Sequence, residues 1–519
     1  MTTTEDRTVA AGAQPPAAPA HQVGAALDGV LAGGLTLTVA TLLAAVMTWT
    51  GFAGGTPSPV PAVGGAFVDR TPLWLKNFAV SAFGTNDKLA LFAGMGLVLL
   101  LVCAAIGWRG LTRHTAGLVV FALVGAVGAL AVLSRPNSAP FDVLPTLVGT
   151  GVGLQVLRRH WDAAERRDGN LTRRRALVFL GAAVGAVVGT RLGQGTGTAN
   201  EARADIALPT PGTPPPDVSA AQLPVPGISP FVVPNKDFYR IDTALVVPRL
   251  DVASWKLRVH GLVEQELTLD WATLLGKPMQ RKLVTLTCVS NEVGGDLVGN
   301  ALWTGWPVRE LLAMARPRAG ADMVLSRSSD GFTAGTPIGA LTDDRDALLA
   351  VAMNGEPLPF EHGFPVRLVV PGLYGYVSAT KWLTELKVTT FAADQGYWTP
   401  RGWSARGPVK TQSRIDVPRI GDHVKAGTVA VAGVAWAQHR GITGVEVQVD
   451  EGPWQGARLA AEPTTDAWRQ WVLEWAATPG SHNLRVRAKD STGQFQVAAE
   501  APPAPDGATG YHQIVVNVD

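Results

Sequence analysis

The chain is 519 residues long, enough for several domains, and carries 44 Lys and Arg against 42 Asp and Glu, a net charge of +2. That balance, with no basic patch interleaved with aromatics, argues against a nucleic-acid partner. Hydrophobic residues make up 47% of the chain and charged residues 17%, too apolar for a protein wholly in water, and the two cysteines, Cys103 and Cys288, are too few for a disulfide framework or a multi-cysteine zinc site.

Residues 1–23 are rich in Ala, Pro and Thr and are expected to form a disordered tail. Residues 24–192 then contain uncharged stretches at Gly29–Trp49, Leu89–Trp108 and Thr115–Ser134, each about the 20 residues that an α-helix needs to cross a bilayer. Weaker stretches follow at Val143–Leu157 and Ala176–Thr190, so the segment reads as an all-α membrane domain of about five helices. Arg109 and Arg113 in one loop, and Arg158, Arg159, Arg166, Arg167 and Arg173 to Arg175 in another, place both loops on the cytoplasmic side. Everything after the fifth helix is then extracytoplasmic, on a multi-pass protein of the cell membrane. Thr172-Arg-Arg-Arg-Ala-Leu-Val-Phe-Leu180 resembles a twin-arginine export signal, and a positive-inside anchor explains the same residues. There is no Cys-x-x-Cys-His haem motif, and neither His114 nor His160 is expected inside a helix, so no haem within the chain is expected. Cys103 is read as lipid-facing or packing.

A Pro-rich linker, 193–232, is expected to be an extended spacer. Beyond it, residues 233–395 alternate between strand and helix patterns. Trp255–Gly261 alternates as a strand, Asp270 is placed to cap a short helix ending at Leu275, Val308–Ala315 reads as a helix, and Asn354-Gly355 marks a turn. After a connector, 396–417, residues 418–519 show short alternating strands at Val429–Ala437, Ile442–Asp450, His482–Lys489 and Gln513–Val518, the pattern of an immunoglobulin-like β-sandwich.

Cys288 closes the strand-like run Lys282–Cys288 and opens a polar loop containing Asn291, Glu292, Gly294 and Gly295. A lone thiol at a strand end is inert core, a nucleophile, or one ligand of a metal whose other ligands come from a cofactor. With His362 as base it would suit a cysteine hydrolase. A non-catalytic interaction protein built on the sandwich is the remaining reading.

Several segments together resemble the sulfite oxidase superfamily of molybdenum-pterin enzymes: Asn235-Lys-Asp-Phe238-Tyr239-Arg240, Thr285-Leu-Thr-Cys288-Val-Ser-Asn291, Ala352 to Gly372 with His362 and Arg367, and Thr380-Lys381-Trp382. Gly433–Trp436 and Val445–Trp454 resemble the dimerisation sandwich that accompanies this fold. The resemblance implies a multidomain chain in which an α+β molybdopterin domain follows the membrane helices and precedes an all-β sandwich. It implies molybdenum-molybdopterin as cofactor and Cys288 as its protein ligand, a thiolate suited to a sulfur-rich centre. Asn235, Tyr239, Arg240, His362, Arg367, Thr380 and Lys381 would bind the pterin and its phosphate, and Asn291 would orient the loop or reach the metal pocket, a turn-forming asparagine being the other reading. Trp303 and Trp306 read as core. Partners implied are a small-molecule or S-oxide substrate, a separate membrane or haem electron carrier, the bilayer, and a possible second copy of the chain.

The chain departs from sulfite oxidases where they carry arginines for their anionic substrate. Glu292 follows the loop asparagine, and Tyr374-Gly-Tyr376-Val-Ser-Ala-Thr380 contains no arginine. A glutamate near the metal and poorly solvated would repel sulfite by several kcal/mol, so the expected reaction is two-electron oxygen-atom transfer on a neutral or S-oxide substrate, with sulfite oxidation as the alternative.

Overall fold

The computed structural model describes residues 19–519 apart from 51, 73–74, 76–77, 79–81, 84–86, 111, 137, 167–170, 194–202 and 213. It divides into two units, Met1–Thr196 and Gly197–Asp519.

The first unit is helical: α1 (Pro19–Trp49), α2 (Pro59–Arg70), α3 (Asp87–Gly110), α4 (His114–Leu133), α5 (Leu144–Glu165) and α6 (Leu171–Gly193). Helix α1 starts within the segment read as a disordered tail, whose first 18 residues lie outside the described ones. Among the described residues four stretches, Gln22–Trp49, Lys88–Gly110, His114–Leu133 and Pro140–Glu165, are long and apolar enough to cross a membrane. Helix α2, with 12 residues, has no counterpart among the five apolar stretches and is too short to span.

The expectation that neither histidine lies inside a helix is corrected: His114 begins α4, and His160 lies within α5. Helix α5 outruns its apolar stretch and carries His160 on its inner face, where Nδ1 lies 2.9 Å from Asp28 Oδ1 of α1. Arg175 of α6 donates to the same carboxylate from Nε at 2.7 Å and Nη2 at 2.6 Å. Asp28 is fully buried, so one carboxylate ties three helices together, as an ionised group in an apolar bundle requires. Cys103 is also inside, against Ala32, Phe121, Leu157 and Trp161, which makes it packing and not lipid-facing.

The second unit begins with a correction to the linker. Its described residues from 203 onward do not stand free: Arg203 donates to the carbonyls of Leu358 and Pro357, Leu223 N donates to Gln470, and Ala221 and Phe231 are buried. Apolar residues among the prolines supply the area that holds this strap down.

Two sheets form the α+β part. One has the order β2–β1–β10–β5–β6, comprising Leu267–Asp270, Lys256–Gly261, Leu383–Thr389, Met323–Ser328 and Thr333–Pro337, with β1 and β10 parallel. The other runs β3 (Gln280–Thr287), β4 (Val298–Pro307), β7 (Leu348–Met353) and β8 (Glu356–Pro357), and β9 (Arg367–Val369) also pairs with β7. Local chemistry sets these elements. Asp270 Oδ1 accepts from Thr273 N at 2.8 Å and starts α7 (Trp271–Leu275), an N-cap of the ordinary kind. Asn354 (φ 53°) and Gly355 (φ 86°) make the β7–β8 turn, both in the left-handed region that an Asn-Gly pair tolerates. Helix α8 (Val308–Ala315) buries Val308, Leu311, Leu312 and Ala315.

The C-terminal part is a two-sheet sandwich. One sheet is β11 (Gln412–Val417), β13 (Gly427–Trp436), β17 (Arg469–Ala477) and β16 (Arg458–Leu459). The other is β12 (His423–Val424), β19 (His512–Val518), β18 (Gly480–Asp490), β14 (Ile442–Val449) and β15 (Gln455–Gly456). Strand β11 falls in the segment read as a connector, and its pairing with β13 makes it part of the sandwich. Inward Val431, Val445, Val447, Val486 and Val516 build the core between the sheets.

Candidate active site

Strand β3 delivers Cys288 to a buried position, 8% exposed, at the start of a closed loop. Cys288 N donates to Leu297 O at 2.9 Å, Asn291 N to Cys288 O at 3.1 Å, and Ser290 N points at Cys288 Sγ from 3.4 Å. Burial pushes the thiol up, while Ser290 and the nearby Lys381 charge pull the other way. The thiol and His362 are not hydrogen-bonded, since His362 Nε2 is 3.1 Å from Asn235 O and its Nδ1 is buried without a partner. With that imidazole held down at about 3 by burial and by Lys381 and Arg367, a cysteine–histidine hydrolase pair is absent among the described residues.

The sequence-predicted binding residues converge. Arg367 is 3% exposed, lies over the Trp303 ring at 5.0 Å, and donates only to the carbonyls of His362, Leu368 and Ala379. No carboxylate among the described residues pairs with it, and burial pulls its pKa from 12.5 to about 10. Lys381 Nζ donates to Asp242 Oδ2 at 3.1 Å and to Glu361 O at 2.9 Å, and burial pulls it from 10.5 to about 8, with Arg367 and Arg240 adding to the fall and Asp242 opposing it. Thr380 Oγ1 is 2.7 Å from Ser326 Oγ. Asn235 donates to Met353 O and accepts from Asn354 Nδ2 at 2.8 Å. Tyr239 is held well above its usual range by burial and by Cys288, and stacks on Phe238 at 5.1 Å.

Two loops make this convergence possible. Gly363 has φ 109°, and a Cβ there would sit 3.0 Å from Lys381 Cβ and 3.1 Å from Arg367 Cβ. Only glycine lets the His362 turn pass so close to both cations. The result is two mutually repelling cations, Arg367 and Lys381, with one carboxylate on Lys381, beside an unpartnered acceptor, His362 Nδ1, an arrangement in which the cations call for a bound anion and the imidazole for a donor.

Residues 244–398 match the oxidoreductase molybdopterin binding domain family. Those residues belong to that domain family, and the chain is similar to sulfite oxidases. The chain is 30% identical over 306 residues to mitochondrial sulfite oxidase of Homo sapiens, which covers 50% of this chain and 56% of that protein. Against sulfite oxidase of Arabidopsis thaliana it is 28% identical over 329 residues, covering 52% and 83%. The chain thus spans little more than half the length of the mitochondrial relatives it matches. Among solved structures, the sulfane dehydrogenase SoxCD from Paracoccus pantotrophus aligns with a TM-score of 0.49 and 24% identity, over 56% of this chain and 83% of that one.

The domain is therefore a molybdopterin-binding oxidoreductase domain, and molybdenum-molybdopterin is its cofactor. The lining fits it: an unpaired buried guanidinium and a lysine with depressed pKa suit a phosphate, the orphan imidazole Nδ1 suits a donor N–H of a pterin, and a buried thiol suits the metal.

The structure sharpens the readings of Glu292, Asn291 and Arg240, and that of the two tryptophans holds. Glu292 is exposed, with its backbone carbonyl accepting from Gly295 N, so its charge is screened by water. The several-kcal/mol repulsion of sulfite shrinks to about 1 kcal/mol or less. Asn291 Oδ1 accepts from Leu297 N at 2.8 Å, so the side chain braces the loop that follows Cys288. Arg240 is partly exposed and tied to Asp242 at 2.9 Å. Trp303 and Trp306 are core, donating to Val284 O and Glu310, and Trp303 adds the face on which Arg367 rests. Sequence reasoning also missed Asp242 and Tyr374. Asp242, two residues after Arg240, is nine-tenths buried and bridges Arg240 and Lys381. Tyr374 is buried and close enough to Cys288 for their charges to interact.

Proposed function

We propose that the chain is a membrane-anchored, extracytoplasmic molybdenum-pterin oxidoreductase that transfers an oxygen atom at the sulfur of a neutral S-oxide substrate. The observation that carries the cofactor half of this reading is the unpaired Arg367 beside Lys381 and the free His362 Nδ1. When bound, the cofactor supplies the two-electron chemistry. Arg367, Lys381, His362, Thr380, Asn235 and Tyr239 hold and orient it, and Cys288 offers the sulfur ligand. In the reductive direction a sulfoxide takes up two electrons and two protons and leaves as sulfide and water, and the electrons come from a separate membrane or haem carrier.

The neutral substrate is favoured because two tyrosines, the half-buried Tyr239 and the buried Tyr374, lie near Cys288, while Arg240 and Lys381 are both engaged by Asp242. An anion therefore meets less free positive charge than the residue count suggests. The second reading is sulfite oxidation, favoured by the names of the relatives and by the exposure of Glu292. The apolar helices of the first unit and the basic residues between them support the anchor and its orientation.

Metal analysis of the full chain from cofactor-competent cells is the deciding test. About one molybdenum per chain, lost in Cys288→Ser, is expected, and a metal-free wild type would overturn the assignment. A reduced viologen dye with sulfoxides, set against sulfite with an electron acceptor, then separates the two substrate readings.

A further inference from the structure

The β-sandwich contacts the cysteine loop itself. Strand β3 has a free edge, and sandwich residues fill it: Thr285 N donates to Asp466 O at 2.9 Å, Trp468 N to Thr285 Oγ1 at 2.8 Å, and Gln438 Nε2 to Thr285 O and Thr287 Oγ1, both at 2.9 Å. An unpaired edge next to the site would otherwise fray or recruit another strand.

The loop's own hydrogen bonds join its two ends, through Cys288, Asn291 and Leu297. Its apex, Gly294-Gly295, is held from outside. Arg414 of β11 donates from Nη1 to Gly295 O at 2.8 Å, and its other nitrogens are fixed by Asp416 Oδ1 at 2.7 Å and Ser229 Oγ at 2.8 Å. His512 of β19 accepts from Ile415 N at 3.0 Å, which turns its ring onto Gly294. A Cβ on Gly294 would lie 2.2 Å from His512 Cδ2, and the glycine has φ 79°. Side chains from both sheets thus meet the two glycines of the loop, one by a fixed hydrogen bond and the other by ring contact.

We propose that Arg414 and His512 are positioning residues for Cys288: the sandwich sets where the thiol stands by fixing the apex of its loop. The proposal rests on the reading of Cys288 as cofactor ligand. Packing alone would need complementary surfaces, whereas a forked arginine with three fixed acceptors and an oriented imidazole restrict the loop to one conformation.

The test uses the full-length chain carrying Arg414→Gln, His512→Ala, Gly294→Ala, or Gly294→Ala with His512→Ala. Amide exchange of residues 288–297 in cofactor-free protein should rise about tenfold or more in the first two, while β5 stays as protected as in wild type. In loaded protein the Mo(V) electron paramagnetic resonance signal should shift or split, with molybdenum per chain and KM within about twofold of wild type and kcat lowered. The double variant should lie nearer wild type than Gly294→Ala alone, since removing the ring makes room for the methyl. Wild-type exchange and an unchanged signal in both Arg414→Gln and His512→Ala would overturn the proposal. If His512→Ala does not accumulate, Arg414→Lys replaces it: the charge stays but the three-way fork is lost, and the same loosened loop is expected, with a wild-type loop again refuting the idea. A wild-type chain without molybdenum would instead sink the cofactor reading, and the exchange measurement would still decide this one.

Discussion

The pH dependence of the cofactor-free chain offers a direct reading of the anion site. Lys381 has a folded pKa of about 8 against 10.5 for the free side chain, with burial as the main cause. A base depressed in the folded state penalises folding wherever both states are protonated. The penalty is fully present below about pH 8 and disappears above about 10.5, because between those values the unfolded chain holds a proton that the folded one has released. The gap of about 2.5 units corresponds to about 3 kcal/mol, of which about 2 kcal/mol should be recovered between roughly pH 7.5 and 9.5. The perturbation is Lys381→Met, and the assay is urea unfolding of the second unit followed by tryptophan fluorescence. Stability of wild type relative to the variant should rise by that amount across the window. Groups remote from Lys381 cancel in the difference. Loading with the molybdenum-pterin should flatten the rise, since a phosphate beside Lys381 keeps its proton on. Parallel pH profiles for wild type and Lys381→Met would refute the claim that Lys381 sits in a cationic pocket waiting for an anion.

Glu292→Arg reverses an exposed charge beside the cysteine loop, so sulfite KM should fall by about threefold to tenfold at low ionic strength and the gain should vanish in high salt; steady-state kinetics with an electron acceptor check this, and no change at low salt counts against the pocket argument. Gly363→Ala places a Cβ 3.0 Å from Lys381 Cβ at φ 109°, which should cost about 1–3 kcal/mol, read as a lower urea midpoint together with less bound molybdenum. Asp28→Asn leaves Arg175 and His160 without their shared carboxylate, an expected loss of about 3 kcal/mol, seen as earlier unfolding of the helical unit in denaturing detergent while the transition of the second unit stays put.

What the sequence made legible is governed by near neighbours. The Asp270 cap, the Asn354-Gly355 turn and the alternation of Val445 and Val447 depend on a few adjacent residues, and the structure has each where the pattern puts it. The binding cluster was legible for another reason: Arg367 lies inside an apolar strand, and a buried charge demands a partner. The failures concern the environment set by distant chain. Helix α5 carries His160 inward because Asp28, 132 residues earlier, is there to meet it, and no apolar run announces that. The strap from residue 203 looked like a spacer because its prolines are visible and the groove that receives Ala221 and Phe231 is not. Glu292 bears most on function. Its place after Asn291 was read correctly, but its exposure depends on how the loop is held, and Arg414, 119 residues from Gly295 in sequence, holds it. Discrimination between sulfite and a neutral S-oxide therefore moves away from Glu292 to groups that are buried, above all the Asp242 carboxylate that ties up both Arg240 and Lys381. A charge at low dielectric outweighs one in water at the same distance, so Asp242 is the residue whose neutralisation should change which substrate the site prefers.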